Sequence, residues 1–215
     1  MRTRKIRGHK RTWTDIQNWK NANLNLDIEN LKNRERDYAK IWVAPFSNIS
    51  MTNSIIPQPK RETKKRILSG LIEIYESWEN ELRELNQPYY LKIWLFEQRF
   101  SKSQVVCAIG DSIEYYDNIF NSPQENKIFK SNDYGKLKNQ LDDFNWNHKL
   151  DEDVIDDTFV GEIDDYASEN EFIEAKKWFD KELKKPHTKS DVKYSNGDIM
   201  TLYSFKKGEV WVGQK

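Results

Sequence analysis

The pattern of hydrophobic residues is clearest in the middle of the chain, from about residue 63 to residue 109. Between Thr63 and Leu85, apolar residues recur every three or four positions, which predicts a long helix with one wide apolar stripe. At about 1.5 Å per residue this helix is roughly 35 Å long, enough to cross a whole sheet. The stripe consists of Ile67, Leu68, Leu71, Ile72, Tyr75, Trp78, Leu82 and Leu85.

The stretch from Pro88 to Ile109 predicts two strands at the centre of a sheet. Two short apolar runs, rich in β-branched and aromatic residues, flank the polar connector Gln98–Ser103. Each run is apolar on both of its faces, so we expect the sheet to be covered on both sides. In the first run, Leu91, Ile93 and Leu95 share one face, and Tyr90, Trp94 and Phe96 share the other.

A third strand is predicted from Tyr38 to Phe46, where Pro45 stops it. Its first residues repeat a pattern of the central stretch, since residues 38–43 and 90–95 both read Y-x-K-I-W-[VL]. The repeat can arise by duplication of a strand unit or by convergence of two neighbouring strands under the same packing demand. The flanking residues do not extend the match, which favours convergence. Both origins predict that the two segments lie in one sheet.

The C-terminal third carries weaker patterns. The region from Leu150 to Tyr166 is acidic and predicted to be irregular, and a helix with an N-terminal capping box is predicted from Ser168 to Leu183. We expect this helix to bury Phe172, Ile173, Trp178 or Phe179, and Leu183. A three-stranded meander then follows, with a type I′ turn at Asn196-Gly197 and a second turn at Lys206-Lys207-Gly208. Its strands are predicted at Asp191–Ser195, Ile199–Phe205 and Glu209–Val212.

Together these elements predict an α+β fold. A mainly antiparallel sheet is packed by the long amphipathic helix of about residues 63–85, and the C-terminal meander extends that sheet or forms a small second one. We expect a basic N-terminal arm over residues 1–12 and a single domain over residues 13–215. Residues 134–215 could form a C-terminal subdomain.

Composition excludes several classes of protein. The chain of 215 residues has 35 basic and 35 acidic side chains, which argues against a surface that binds nucleic acid or membrane throughout. No apolar segment approaches the roughly 20 residues that cross a bilayer, and no apolar run follows the basic N-terminus. With Cys107 as the single cysteine, no disulfide framework is possible. We therefore expect a soluble, cytoplasmic protein.

The basic arm is the strongest lead to a partner. Its cations can follow a phosphate backbone, and each contact adds affinity through counterion release. The same composition also fits a solvated terminus, or an arm that docks on the acidic segment of its own chain. The arm carries Arg2, Arg4, Lys5, Arg7, Lys10 and Arg11 and no acid.

The acidic segment from Asp151 to Glu174 has eleven carboxylates and no Lys or Arg. Mg²⁺ and Ca²⁺ prefer carboxylate oxygens as ligands, so a metal site formed by Asp151, Asp153, Asp156 and Asp157 is one interpretation. The EF-hand pattern fails, because Ile155 and Asp156 stand where an oxygen ligand and a glycine are needed. A solvated acidic loop is the favoured interpretation.

The connector Gln98–Ser103 joins two rigid strands and presents Arg99 and Lys102 with an aromatic residue, Phe100, that we expect to be exposed. Loops on such scaffolds often bind partners, although an ordinary polar loop is the simpler interpretation. Catalysis finds no support, because the three histidines lack ligand spacing and Cys107 lies in an apolar run without a cationic neighbour. No phosphate-binding or dinucleotide-binding motif occurs, so we expect no cofactor.

The leading functional hypothesis is a non-catalytic binding protein that recognises a protein or nucleic-acid partner through segregated charged surfaces. The candidate binding residues are Arg2, Arg4, Lys5, Arg7, Lys10, Arg11, Arg99 and Lys102. The alternative is a metal-dependent, nuclease-like hydrolase that uses the acidic region 151–157.

Overall fold

The computed structural model describes residues 9–32, 38–42, 59–118, 127–158 and 161–215. Short 3-10 helices cover Phe100–Lys102, Ser131–Leu137 and Ile163–Asp165. The α-helices are α1 (His9–Ala22), α2 (Ile28–Lys32), α3 (Arg61–Glu84), α4 (Ser112–Asn118), α5 (Lys138–Asp142) and α6 (Glu169–Glu182). The strands are β1 (Tyr38–Trp42), β2 (Tyr89–Phe96), β3 (Gln104–Ile109), β4 (Asn145–Asp156), β5 (Thr188–Lys193) and β6 (Ile199–Gln214).

The chain divides into two compact units. The first comprises Met1–Lys149 with Glu209–Lys215, and the second comprises Leu150–Gly208. Strands β4 and β6 each begin in one unit and end in the other. We call them the first and the second unit and describe each separately. The sequence-based boundaries at residues 13 and 134 stay predictions.

The sheet of the first unit confirms the predicted antiparallel arrangement. Strand β3 lies between β1 and β2 and is antiparallel to both. The C-terminal part of β6 pairs antiparallel with β2, from Ile93↔Gly213 to Phe96↔Val210, and β4 follows β6 in the strand order. The segments around Trp42 and Trp94 therefore lie in one sheet, as the repeated pattern predicts. The second half of this predicted strand, residues 43–46, lies outside the described residues.

The two copies of the repeated pattern occupy equivalent positions on either side of β3. Tyr38 and Tyr90 both have Ala108 as their register partner, and Trp42 and Trp94 both have Gln104. Since β1 and β2 are each antiparallel to β3, they run parallel to each other. The same short pattern thus meets the same central strand from both sides, which is equally compatible with duplication and with convergence.

Helix α3 and the two faces of the sheet form the core of the first unit. The helix confirms the predicted one and begins two residues earlier, and its ten buried residues include Trp78 and Tyr75. Leu91, Ile93 and Leu95 of β2 pack in the same cluster as α3, while Tyr90, Trp94 and Phe96 belong to a second cluster with Tyr116 of α4. Both faces of the sheet are therefore covered, as predicted, and each fully buried aliphatic side chain contributes roughly 1.5–3 kcal/mol.

The second unit buries far less apolar surface. Ser168 caps α6 as predicted, because its Oγ accepts a hydrogen bond from the Glu171 backbone N–H at 3.3 Å. The predicted buried face is wrong at Ile173, which is 38% exposed, and of the two alternatives Trp178 is 43% exposed whereas Phe179 lies on the buried side. Phe172, Phe179 and Leu183 are half-buried. The helical spacing is present, but the surrounding chain offers too few apolar partners to cover it.

The hairpin predicted around Asn196-Gly197 is present, but its turn is not the predicted type I′ turn. Only Gly197 has a positive φ, 96°, and its N–H donates to the carbonyl oxygen of Tyr194 at 3.0 Å. This is the three-residue connection in which glycine takes the left-handed position. The Asn196 side chain accepts from the Asp198 N–H at 3.1 Å, which fixes the turn locally.

Two more predictions for this region need correction. The residues predicted as a second turn, Lys206–Gly208, lie inside the continuous strand β6, so the C-terminal region forms β5 and β6 rather than a three-stranded meander. Gly208 takes φ 152°, which a residue without a side chain tolerates, and the chain continues extended. The predicted irregular segment also begins too early, because β4 runs to Asp156 and the Asp157 N–H donates to Thr201 O at 2.9 Å.

Candidate functional site

A cleft of about 540 Å³ opens in the first unit beside the connector between β2 and β3. We call it the connector cleft. Two cations and one carboxylate line it, together with an amide and a tyrosine ring, so its charged groups are mainly basic. The lining residues are Pro59, Arg61, Lys64, Glu97, Gln98 and Tyr134.

The cations come from the first turn of α3. Pro59 and the extended residue Lys60, at φ −60° and ψ 153°, precede the helix, and the Lys64 N–H donates to Lys60 O at 2.9 Å. Arg61 and Lys64 are three residues apart, the spacing that places two side chains on one face of a helix. Lys64 Nζ lies 5.4 Å from the centre of the Phe100 ring, within the range of a cation–π contact.

Hydrogen bonds to β6 hold the connector in place. The Glu97 N–H donates to the carbonyl oxygen of Glu209 at 3.0 Å, and the Glu209 N–H donates to Gln98 Oε1 at 2.9 Å. Ser103 Oγ accepts from the Phe96 N–H at 3.1 Å. Phe100 is fully buried, which corrects the expectation of an exposed aromatic residue. The ring therefore anchors the connector on the core, and Gln98 is the connector residue in the described lining of the cleft.

Tyr134 reaches the cleft from a 3-10 helix and belongs to a row of aromatic rings. It stacks on Phe129 with ring centres 6.1 Å apart and planes 14° apart. Phe129 in turn stacks on Trp146 at 4.3 Å and meets Trp211 edge-on at 5.2 Å. This row fixes the position of the tyrosine ring in the wall of the cleft.

His148 lies at the end of the same aromatic row. Its ring is 4.7 Å from that of Trp211, and its side chain is almost fully buried. Neither ring nitrogen has a hydrogen-bond partner among the described residues, and Nε2 lies 3.7 Å from Glu209 Oε2. Lys127 forms an ion pair with the second oxygen of this carboxylate. A distance of 3.7 Å is too long for a hydrogen bond, so Lys127 is the principal partner of Glu209.

A second cavity of the first unit, of about 340 Å³, is less suited to an external charged ligand. Its charged groups neutralise each other, because Lys92 pairs with Asp117 at 2.9 Å. Tyr75 lies on its wall, and burial raises the pKa of this phenol to about 12. This phenol is therefore neutral at physiological pH, and the connector cleft remains the stronger candidate.

Two of the predicted cations lie in the connector but not among the described residues that line the cleft. Arg99 and Lys102 lie in the connector and are partly exposed, and the Lys102 N–H donates to Arg99 O at 2.8 Å. Lys10 and Arg11 fall in the first turn of α1. The remaining four predicted cations lie outside the described residues: Arg2, Arg4, Lys5 and Arg7.

The four aspartates of the alternative metal site lie along β4 and the turn after it. Asp151 is buried, and Asp153 Oδ2 lies 3.4 Å from Lys207 Nζ. Asp156 Oδ1 accepts from the Thr158 N–H at 3.0 Å. Within the ranges that the structure describes, no three His, Cys, Asp or Glu side chains are grouped so that they could hold a metal ion. Cys107 is fully buried in β3, in agreement with its interpretation as a core residue.

Arg61, Lys64 and Tyr134 were missed as candidate site residues. The sequence 60–66 carries five Lys or Arg residues, which is a visible signal of a basic helix start. Nothing in the sequence indicates that this start lies next to the connector, since the proximity depends on how α3 crosses the sheet. Tyr134 carries no local signal at all.

Comparison with protein-family models, with curated proteins and with solved structures found no match to the chain. No helix in the described part of the chain is long and apolar enough to cross a membrane.

Proposed function

We propose that the protein is a non-catalytic binding protein that holds a single-stranded nucleic-acid segment in the connector cleft. The observation that carries this proposal is a lining in which two cations from the first turn of α3, Arg61 and Lys64, occur together with the tyrosine ring of Tyr134. Basic grooves with an aromatic ring are the usual design for single strands, because cations follow the phosphates and a base stacks on the ring.

The size and the surroundings of the cleft support the proposal. The cleft is open to solvent, and its volume of about 540 Å³ falls in the range of clefts that bind small-molecule ligands. Arg99 and Lys102 follow the lining residue Gln98 in the sequence and add two cations to the connector. Glu97 is the one carboxylate among the described lining residues, against two cations, so this part of the lining has a positive balance. The single cysteine is a buried free thiol, which is typical of proteins in a reducing compartment such as the cytoplasm. We therefore propose that the protein meets its nucleic-acid partner in the cytoplasm.

Fluorescence anisotropy with labelled single-stranded DNA and RNA oligonucleotides tests the proposal. We expect binding that weakens as salt rises from about 50 to about 200 mM, with a slope of about −0.7 per neutralised phosphate in the logarithmic plot. The double variant Arg61→Gln/Lys64→Gln should weaken binding roughly tenfold or more, since a hydrogen bond to a charged group contributes about 1.5–3 kcal/mol.

The matched control removes two exposed cations elsewhere. Lys176→Gln/Lys177→Gln on α6 changes the net charge equally and should leave the affinity within about twofold. Replacing the arm cations Arg2, Arg4, Lys5 and Arg7 with Ala measures the contribution of the arm. If only the arm variant loses binding, the connector cleft is not the site.

The remaining outcomes separate the alternative classes of function. Absence of binding to both oligonucleotides at low salt contradicts the proposal, and binding of an acidic peptide instead would indicate a protein partner. We expect the oligonucleotides to stay intact when Mg²⁺ or Mn²⁺ is added. Cleavage abolished by Asp151→Asn/Asp153→Asn would favour the hydrolase alternative.

A further inference from the structure

Strand β5 is the exposed edge of the sheet in the second unit. It pairs antiparallel with β6, from Thr188↔Ser204 to Lys193↔Ile199. All six of its residues are exposed, and among the strands of the described ranges β6 is the only one that pairs with it. An edge strand presents backbone N–H and C=O groups with which another strand can pair.

The direction of these backbone groups follows from the hairpin. The Tyr194 N–H donates to Asp198 O at 2.8 Å, so the backbone groups of residue 194 point towards β6. Alternate residues of an antiparallel strand point their backbone groups to opposite sides. The even-numbered residues of β5 therefore face β6, and Lys189, Asp191 and Lys193 direct their N–H and C=O groups to the open side.

We propose that β5 pairs antiparallel with the β5 of a second copy of this chain, about a two-fold axis at Ser190. In this register, Lys189 of each copy lies opposite Asp191 of the other, so two pairs of opposite charge form across the junction. Thr188 of each copy lies opposite Val192 of the other. Each such cross-strand pair is favourable, and the open backbone groups of the charged residues are the ones that exchange hydrogen bonds.

Neighbouring registers are less favourable. An axis at Asp191 places this carboxylate opposite itself and Lys189 opposite Lys193. An axis at Val192 pairs Asp191 with Lys193 but runs past the end of the strand, so fewer residues contribute. The charge pattern therefore selects the register centred on Ser190.

The same charges limit which strands can pair with this edge. Lysines on an edge strand repel most incoming strands, and Lys189 is neutralised only by a strand with a carboxylate opposite. One pair of short strands is small beside the roughly 1,600 Å² of a standard interface, so we expect a reversible dimer whose population depends on concentration.

Sedimentation equilibrium of the full chain measures the dimer, at protein concentrations from about 1 µM to about 1 mM, which span weak dissociation constants. The variant Asp191→Lys should raise the dissociation constant at least tenfold, because each junction then brings two lysines together. The double variant Lys189→Asp/Asp191→Lys restores both opposite-charge pairs and should restore the dimer.

Asp180→Lys on α6 is the matched control, since it makes the same charge change at an exposed position outside β5. Asp191 Oδ1 also accepts from Thr201 Oγ1 at 3.1 Å, so hydrogen exchange of the β5–β6 amides reports whether the hairpin persists in each variant. In the wild type, the amides of residues 189, 191 and 193 should exchange more slowly as concentration rises.

Three results would overturn the proposal. A wild-type protein that is monomeric at every concentration removes self-pairing and leaves the edge to a strand of another protein. A dimer weakened equally by Asp180→Lys and Asp191→Lys depends on net charge rather than on β5. A dimer lost in Asp191→Lys, with an intact hairpin, but not recovered in the double variant contradicts the register centred on Ser190.

Discussion

The two units of this protein use their hydrophobic residues in opposite ways. In the first unit, α3 and the strands β2 and β3 bury nearly every large apolar side chain, and several, such as Ile74 and Ile93, have no exposed surface. In the described part of the second unit, Phe205 is the only large hydrophobic residue that is fully buried. The exposed large ones there are Val154, Ile163, Ile173, Trp178, Val192, Tyr194 and Ile199.

The difference shows where the stability of each unit originates. Burial of apolar surface is the dominant favourable term in folding, so the first unit can form a stable core. The second unit depends more on strand hydrogen bonds and on ring contacts such as Phe179 with Tyr203 at 6.0 Å and His187 with Phe205 at 5.3 Å. We therefore expect substitutions of the same kind to have large effects in the first unit and small ones in the second.

The largest contrast is expected for one isoleucine in each unit. Ile74→Ala in α3 removes a fully buried side chain and should destabilise the protein by about 2–5 kcal/mol, because a cavity remains in the core. Ile173→Ala in α6 removes a side chain that is 38% exposed and should cost less than about 1 kcal/mol. Urea unfolding followed by tryptophan fluorescence measures both changes.

The two variants share a built-in control, since both isoleucines lie in helices and the gain in helix propensity is the same. Equal destabilisation by Ile74→Ala and Ile173→Ala would show that the second unit has a core as tight as that of the first. Two separate transitions in urea would show that the units unfold independently, and each variant should then shift only its own transition.

The second prediction concerns the buried tyrosines of the first unit at high pH. Burial raises the pKa of Tyr75 to about 12. The Lys215 N–H donates a hydrogen bond to the phenol oxygen at 3.0 Å, which stabilises the phenolate and lowers the pKa, but the effect of burial is larger. Because the folded pKa lies above the unfolded value of about 10, stability is fully present below pH 10 and is lost as pH rises to 12. The difference between the two pKa values corresponds to at most roughly 2–3 kcal/mol.

The measurement compares urea midpoints at pH 8 and at pH 12 in the wild type and in Tyr75→Phe. The phenylalanine variant cannot ionise, so its loss of stability between the two pH values should be smaller, whatever its stability at pH 8. Burial also raises the pKa of Tyr90, and Tyr90→Phe should likewise reduce the loss of stability between pH 8 and pH 12. An unchanged slope in both variants would mean that these phenols are hydrated in the folded protein.

The contrast between the units also accounts for which predictions from sequence succeed. In residues 61–109 the apolar period, the strand alternation and the final burial agree, so α3, β2 and β3 follow directly from the pattern. In the second unit the apolar residues of α6 have the right spacing and no core to enter, and the acidic residues of β4 have low strand propensity although the strand forms. Long-range contacts decide both cases, and periodicity contains no information about them.

The candidate site shows the same limit. Arg99 and Lys102 were predicted from the connector alone and are not among the described residues that line the cleft, whereas the lining residues Arg61 and Tyr134 lie about 37 residues before and after Gln98 in the sequence. Phe100 was misjudged as exposed for the converse reason, since a polar loop can anchor itself by one buried ring.

The smallest contrast is expected between two glycines, one in each unit. A Cβ on Gly213 would lie 2.7 Å from Trp146, whose ring is fixed by stacking on Phe129 and by its Nε1–H, which donates to Leu141 O at 2.8 Å. Gly213→Ala must displace this ring and should cost about 1–3 kcal/mol. Gly197→Ala meets no atom of the described residues within 4 Å and should cost only the strain of its φ of 96°, about 1 kcal/mol.

Thermal unfolding of a further variant, Gly197→Asn, separates backbone strain at Gly197 from the steric contact at Gly213. Asparagine tolerates the left-handed conformation better than alanine. We expect Gly197→Asn to recover part of the loss, and Gly213→Asn to be worse than Gly213→Ala because it is larger. If Trp146→Leu, which vacates the space, does not reduce the cost of Gly213→Ala, the close approach between β6 and this ring is not what requires glycine. The first unit would then tolerate an added methyl group better than its buried residues indicate, and the two units would differ in hydrophobic burial but not in how closely they are packed.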